Sequence, residues 1–240
     1  TALTVLVAMS DAFLYLGGLA LAAYFFRLWF EDYRQNTQQI NHDLAAGRTI
    51  SADVIQAGLP GSTPASWRAI TIAIFGAVGI LALEVAGEYR LDVVEDQTTM
   101  SVLLGIYTLA AAFIEELIFR GFLFFDRHGK WRLYGSIIGI SILFALIHPY
   151  LWSYDVPQNQ PPWLFWKWIG LNLWRDDGML NIQPIFSTCI LFINSLWFYY
   201  VRFFGLNRFR SLIPCVAAHL ASNLGVFVVK ACQGKVILFD

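Results

Sequence analysis

Three short polar patterns interrupt long apolar stretches of this sequence, and their residue types are suited to acid–base chemistry. Carboxylates and imidazoles transfer protons near neutral pH, and amide groups can stabilise a developing negative charge. Ionisable side chains in apolar segments are costly to desolvate, so they are candidates for a functional role. The residues of the three patterns are Glu115, Glu116, Arg120, Phe144, His148, His219 and Asn223.

The first pattern places two adjacent glutamates and an arginine in one apolar segment. Glu116 and Arg120 are four residues apart, so they share a helix face and can form an ion pair. Glu115 is rotated from Glu116 by about 100° on a helix. One arginine neutralises only one of the two carboxylates. The second carboxylate then takes up a proton more readily than it would in water, which is what a general base requires. The alternative is a packing salt bridge with a spare glutamate in a water pocket.

The other two patterns each contain a histidine. His148 follows Phe144 by one helical turn, and it is interpreted either as a hydrogen-bonding group at a helix end or as a catalytic group. His219 and Asn223 are four residues apart and therefore point to one helix face. They can act together on a substrate or, alternatively, hydrogen-bond to a neighbouring helix.

The composition excludes several classes of protein. Of the 240 residues, 58% are hydrophobic and 14% are charged, and the mean hydropathy is +0.57. An ordinary soluble domain is about 45–50% apolar and about 25% charged. Disorder is excluded because it requires low hydrophobicity. A net charge of −1 leaves no basic excess for nucleic acid.

Six apolar stretches of about 19 to 27 residues are long enough to cross a bilayer as helices. A span in lipid must satisfy its own backbone hydrogen bonds, which favours helices. The sequence therefore predicts an all-α, polytopic transmembrane helical bundle of about six spans, with a polar catalytic cavity within the membrane. The stretches are 4–30, 69–87, 99–125, 134–153, 183–204 and 211–230.

The basic residues predict an orientation for these spans. Eleven lysines and arginines fall in or beside the connections after the first, third and fifth stretches, and five fall on the other side. Because cytoplasmic segments carry the positive excess, the N-terminus is predicted to lie outside. The chain begins at Thr1 and not at a methionine, so we expect further residues upstream.

The chain is expected to contain three regions. An N-terminal two-span region with a cytoplasmic loop covers 1–98, a core covers 99–230, and a tail covers 231–240. The segment 154–182 carries four of the nine tryptophans, Trp163, Trp166, Trp168 and Trp174. Clustered tryptophan beside polar residues is typical of a segment on the outer leaflet, and a lid over a substrate entrance is the alternative.

The three patterns, in this order and on three spans, resemble those of the CPBP family. This family of intramembrane endopeptidases contains CAAX proteases and bacteriocin-processing enzymes, is also called Abi, and includes the prenyl-protein CAAX protease Rce1. The stretch that begins at Ser211 also resembles the family's approach to its last pattern. The similarity covers residues 99–226, and neither 1–98 nor the tryptophan-rich segment carries a recognised signature.

The resemblance implies an intramembrane glutamic-type endopeptidase. Glu115 is expected to be the general base that activates a water together with His148. The oxyanion is expected to be stabilised by His219 and Asn223. Supporting roles are expected for Glu116 and Arg120, which would hold Glu115 in place, and for Phe144, which would pack beside His148. Glu84 lies outside the patterns and is interpreted as snorkelling or as a hydrogen-bonding group between helices.

The resemblance also implies the partners and the location. Membrane lipids and a membrane-associated peptide are the expected partners, with prenylated CAAX-type peptides among the candidates, and no cofactor or nucleic acid is expected. The protein is expected to be an integral multi-pass protein of the cell membrane if prokaryotic, or of the endoplasmic reticulum if eukaryotic.

Two other readings remain open. A zinc-dependent protease could use two glutamates and two histidines, although no His-Glu-x-x-His pair is present and asparagine is a poor zinc ligand. A non-catalytic membrane protein, such as an immunity protein, a scaffold or a transporter with a proton-relay glutamate, could keep the polar residues for packing or transport. Replacement of Glu115 by glutamine separates a protease from a scaffold.

Overall fold

A computed structural model describes residues 2–50, 57–95, 97–125, 129–154, 169–174, 178–203 and 205–238. Within these residues six helices are long and apolar enough to cross a membrane, which confirms the polytopic all-α bundle. The third helix continues directly into a π-helix, Leu117–Phe122. The α-helices are α1 Ala2–Ala45, α2 Trp67–Arg90, α3 Val102–Glu116, α4 Lys130–Ile147, α5 Ile182–Phe203 and α6 Ile213–Cys232.

The first helix extends well beyond the predicted stretch 4–30. Its 44 residues correspond to about 66 Å, about twice the thickness of a bilayer core. The residues after 30, predicted as a loop, are helical to Ala45 because polar residues can continue a helix outside the membrane. The side chain of Asp32 accepts a hydrogen bond from the Leu59 amide at 2.7 Å, and Asn36 donates to Ser62 O at 3.0 Å. These contacts attach the following segment to α1.

The fourth helix begins earlier and ends earlier than the predicted stretch 134–153. It ends at Ile147, and His148 is extended with φ −76° and ψ 128°. The physical reason is Pro149, because a proline disfavours helical geometry in the residue before it. His148 therefore lies just beyond the helix and not within it.

The helices pack in pairs, with α2 along α6, α1 along α3 and α4 along α5. Ala73 and Ala77 of α2 are fully buried and allow close approach of the neighbouring helices. These contacts cross the predicted division at residue 98, which stays a prediction. The core cluster between α2, α5 and α6 consists of Ala73, Ala77, Phe198, Val201, Cys215 and Ala218.

Two of the basic residues counted for the orientation lie inside the bundle. Arg120 belongs to the π-helix and Arg202 to α5, and both are buried. Without these two, the excess on the predicted cytoplasmic side is nine to five. The orientation stays a prediction.

Short strands tie the helix ends together. Strand β1, Met100–Ser101, pairs in parallel with β4, Val236–Ile237, so the start of α3 lies beside the end of α6. Strand β2, Trp152–Tyr154, pairs antiparallel with β3, Ile169–Leu171. Of the tryptophan-rich segment, Trp163, Trp166 and Trp168 lie outside the described residues. Trp174 is 66% exposed, and both readings of the segment stay predictions.

Candidate active site

Helix α3 ends in a π-helix, which a hydrogen bond from α5 holds in place. Ser101 begins the helix, and its hydroxyl accepts a hydrogen bond from the Leu104 amide at 3.2 Å. After Glu116 the backbone widens into the π-helix, a geometry often found at functional sites. The Tyr199 hydroxyl of α5 donates to the carbonyl oxygen of Phe119 within the π-helix at 2.6 Å. This bond anchors the wide turn to α5.

The first pattern forms the ion pair that its spacing predicts. Nη1 of Arg120 lies 3.0 Å from Oε1 of Glu116, and both side chains are fully buried. Nη2 of Arg120 donates to Ser195 Oγ at 2.6 Å, and Ser195 in turn donates to Ser141 Oγ at 3.0 Å. Each partner of the ion pair is therefore bonded to protein groups, although Oε2 of Glu116 and Nε of Arg120 are buried without a hydrogen-bond partner among the described residues.

Aromatic rings enclose the arginine. The guanidinium carbon of Arg120 lies 4.4 Å from the centre of the Phe144 ring and 5.1 Å from the centres of Phe198 and Tyr199. Desolvated cation–π contacts of this kind are worth about 2 kcal/mol or more. Phe144 also lies 4.8 Å from the His148 ring, so it packs on the arginine as well as beside the histidine.

Sequence reasoning missed the residues of α5 that complete this cluster. They are Ser195, Phe198 and Tyr199, and the only local signal was the polar pair Asn194-Ser195 in an apolar helix. Aromatic residues on an apolar helix give no sign of which ones face a buried charge.

His219 connects the two glutamates. Its Nδ1 lies 2.8 Å from Oε1 of Glu116, and its Nε2 lies 3.8 Å from Oε2 of Glu115. Because Glu116 is paired with Arg120 and accepts hydrogen bonds, we assign a proton to Nδ1 of His219. The ring stacks on Phe198 at 4.9 Å, which fixes its orientation.

The two adjacent glutamates have opposite environments. The side chain of Glu116 is fully buried, whereas that of Glu115 is 31% exposed. Glu115 lines a cavity, and its neighbour lies behind the cavity wall. The rotation of about 100° per residue on a helix produces this separation.

His148 and Asn223 are each fixed by one backbone carbonyl. Nδ1 of His148 lies 2.7 Å from Phe144 O, and since a carbonyl only accepts, Nδ1 carries a proton; in the neutral ring Nε2 then has the lone pair. Nδ2 of Asn223 donates to Thr108 O at 2.9 Å, which links α6 to α3. Each side chain keeps polar capacity for a substrate.

A cavity of about 610 Å³ brings the four predicted catalytic residues together. Glu115, His148, His219 and Asn223 all line it, and Phe144 does too, whereas Glu116 and Arg120 do not. In the described part of the chain, no group of three or more His, Cys, Asp and Glu side chains is arranged to hold a metal ion.

From this cluster the cavity extends to the C-terminal ends of α2 and α6. Glu84 and Glu88 line it there together with Lys230, so Glu84 faces the cavity. The basic-residue count predicts that this end lies on the non-cytoplasmic side.

A comparison with protein families assigns the chain to a family. The sequence model described as "Type II CAAX prenyl endopeptidase Rce1-like" matches residues 97–225, more than half of the chain. The chain belongs to the Rce1-like family. No curated protein and no solved structure matched the chain.

The Rce1-like match contains all three polar patterns and supports a CAAX-type membrane protease. Together with the six helices, it makes the chain an integral, multi-pass membrane protein. Helices α1 and α2 precede the matched residues, yet α2 contributes Glu84 and Glu88 to the cavity. The cavity is therefore completed by residues outside the family match.

Proposed function

We propose that this chain is a glutamic-type intramembrane endopeptidase that hydrolyses a peptide bond of a membrane-associated peptide without a cofactor. The observation that carries the proposal is the position of Glu115. Its carboxylate faces the cavity beside His219, while Glu116, which would otherwise add a second negative charge, is paired with Arg120. A general base needs this combination of access and a fixed neighbour.

The first step is the attack of water on the scissile carbonyl carbon. Glu115 takes one proton of the water, and the lone pair on Nε2 of His148 accepts a hydrogen bond from its other O–H group. Since His148 is held by the Phe144 carbonyl, Nε2 keeps its acceptor role during the attack. A new C–O bond forms, and the carbonyl oxygen becomes an oxyanion.

The oxyanion is stabilised by donors on α6. Asn223 has two amide N–H groups, of which one donates to Thr108, so the second is free for the oxyanion. Because Nδ1 of His219 donates to Glu116, only the imidazolium form of His219 has a second N–H group, at Nε2. Removal of one oxyanion donor typically lowers kcat by about 10²–10³.

The second step breaks the C–N bond. The proton held by Glu115 passes to the leaving nitrogen, which departs as an amine, and the oxyanion closes to a carboxylic acid. Glu115 is then a carboxylate again. Every proton in this cycle comes from the attacking water or returns to its starting group.

The substrate class follows from the family and the position of the cavity. A CAAX-type peptide carries a lipid on a cysteine near its C-terminus, and the cavity lies within a bundle whose outer surface is apolar. We therefore propose a prenylated peptide, with the lipid in the bilayer and the peptide chain in the cavity.

The test is cleavage of quenched fluorescent peptides by the detergent-purified chain. One peptide ends in a farnesylated CAAX sequence and the other lacks the farnesyl group. We expect Glu115→Gln and His148→Ala each to lower kcat/KM by about 100-fold or more. The matched control is Glu31→Gln, an exposed carboxylate of α1 that pairs with Arg27 outside the cavity and outside the three patterns, and it should stay within about threefold of wild type.

Two outcomes would contradict this mechanism. Activity that persists in Glu115→Gln would remove the glutamate from the chemistry. Activity lost with a chelator and restored by zinc would favour the metal-dependent alternative. The proposed mechanism requires cleavage that is unchanged by the chelator.

A further inference from the structure

The end of the cavity remote from Glu115 contains a lysine that the mechanism does not use. Lys230, in the last turn of α6, lines this end and is partly buried. Its Nζ donates to the carbonyl oxygen of Thr98 at 2.6 Å. An ammonium group has three N–H donors, and no carboxylate among the described residues lies within ion-pair distance of this one. The other donors are therefore available to an anion.

The carboxylates of this cavity outnumber its lysines and arginines. Glu84, Glu88 and Glu115 line it, and Lys230 is the one lysine or arginine among the described lining residues. Two of these carboxylates share the end at which Lys230 lies. An anionic group would be repelled there without the lysine, so anion binding at this end depends on Lys230.

The spacing along α6 matches the length of a short peptide. Lys230 follows Asn223 by seven residues, which is two turns on the same face and about 10 Å along the axis. Three residues of extended chain also span about 10 Å. When a scissile carbonyl lies at Asn223, the free carboxylate at the end of a tripeptide leaving group therefore reaches Lys230.

We infer that Lys230 binds the C-terminal carboxylate of the peptide that the enzyme releases. The charge contact then selects the bond three residues before a free C-terminus and disfavours internal bonds. Lys230 is a specificity-determining residue in this inference, since it contacts the substrate away from the reacting atoms. The inference rests on the proposed function.

The test compares two farnesylated peptides that are identical except for a C-terminal carboxylate or a C-terminal amide. We expect wild type to cleave the acid about tenfold to a hundredfold better, in line with a charge-assisted hydrogen bond. In Lys230→Met this ratio should fall to within threefold of one, and Lys230→Arg should restore most of it. Because both peptides are cleaved by the same preparation of each variant, the acid-to-amide ratio does not depend on how much of that variant is folded.

The matched control is Lys235→Met. Lys235 lies five residues further along the chain and donates to the carbonyl oxygens of Val94, Glu95 and Gln97, but it does not line the cavity. The acid-to-amide ratio of this variant should equal that of wild type. An equal loss in both lysine variants would overturn the inference, because a general change in charge would then explain it.

A second experiment measures peptide binding and does not depend on catalysis. Fluorescence anisotropy of the two labelled peptides is measured on Glu115→Gln with Lys230 or Met at position 230. We expect the acid to bind more tightly than the amide only when Lys230 is present. Equal binding of both peptides to the Lys230 protein would overturn the inference. Cleavage that persists in Glu115→Gln would instead overturn the mechanism and leave the ratio readable.

Discussion

Two regions contain similar residue types in opposite environments: the inner polar cluster, formed by Glu116, Arg120, Ser195 and His219, and the end of the cavity lined by Glu84, Glu88 and Lys230, called the outer end because the basic-residue count predicts it to be non-cytoplasmic. In the inner cluster, Glu116 and Arg120 are fully buried and are bonded to each other, to His219 and to Ser195. At the outer end, Glu84 and Lys230 face the open space of the cavity. Both regions lie in a bundle whose surroundings are apolar, so in each region other interactions must offset the free energy of placing a charge there.

The charges of the two regions serve different purposes. A charge that is paired with another protein group fixes geometry, because any displacement leaves a buried partner unpaired. A charge that faces a cavity keeps its capacity for a substrate. Glu115 lies at the boundary, since it is adjacent to the fixed pair in sequence but open to the cavity in space.

The largest contrast is expected between the two adjacent glutamates. Glu115→Gln should lower cleavage by about 10²–10⁴ while the unfolding temperature stays near wild type, because general-base catalysis is lost and no buried pair is broken. Glu116→Gln should instead lower the unfolding temperature, since it removes the charge that balances the buried Arg120. Peptide cleavage and thermal unfolding in detergent measure the two effects. Equal destabilisation by both substitutions would contradict the comparison.

Removal of the arginine tests how strongly the inner cluster depends on pairing. Arg120→Met leaves Glu116 buried without its partner and should cost about 3–5 kcal/mol of stability. The double variant Arg120→Met with Glu116→Gln should recover much of this loss, because no uncompensated charge remains. Denaturation of the three variants in the same detergent measures the coupling. Additive losses would show that the pair is not energetically coupled.

A smaller effect is expected from two serines of α5. Ser195→Ala removes a buried acceptor from Arg120 and should cost about 1–3 kcal/mol. Ser187→Ala, on the wall of the cavity, should stay within about 0.5 kcal/mol of wild type. Thermal unfolding of both variants provides the measurement. A reversed order would mean that the cavity wall, and not the inner cluster, holds α5 in place.

The native cysteines report which region meets water and on which side of the membrane. Cys232, at the C-terminal end of α6, is exposed, whereas Cys215 is buried. In a Cys189→Ala background, an impermeant maleimide added from the non-cytoplasmic side should label Cys232 without loss of activity, and Cys215 should react only after denaturation. Mass spectrometry locates the label. Reaction of Cys232 only from the cytoplasmic side would reverse the predicted orientation and open the cavity toward cytoplasmic peptides.

Local patterns predicted much of this protein. The six spans follow from runs of apolar residues, and the pairing of Glu116 with Arg120 follows from their spacing on one helix turn. Pro149 also indicates the early end of α4, because a proline disfavours helix in the residue before it. Hydropathy alone extended the predicted helix to residue 153. The full length of α1 was missed, since hydropathy marks the membrane and not the end of a helix.

The sequence by itself determined which side chains could do chemistry, because their types and their spacing on a helix are local properties. Only the tertiary structure decided which glutamate is sealed and which is open, because that depends on which face of α3 packs against α6 and on how the π-helix after it contacts α5. It also brought Ser195 and Phe198 to the buried charges and Lys230 to the cavity. Such contacts join residues far apart in the chain, and packing between helices, not spacing along one of them, creates them.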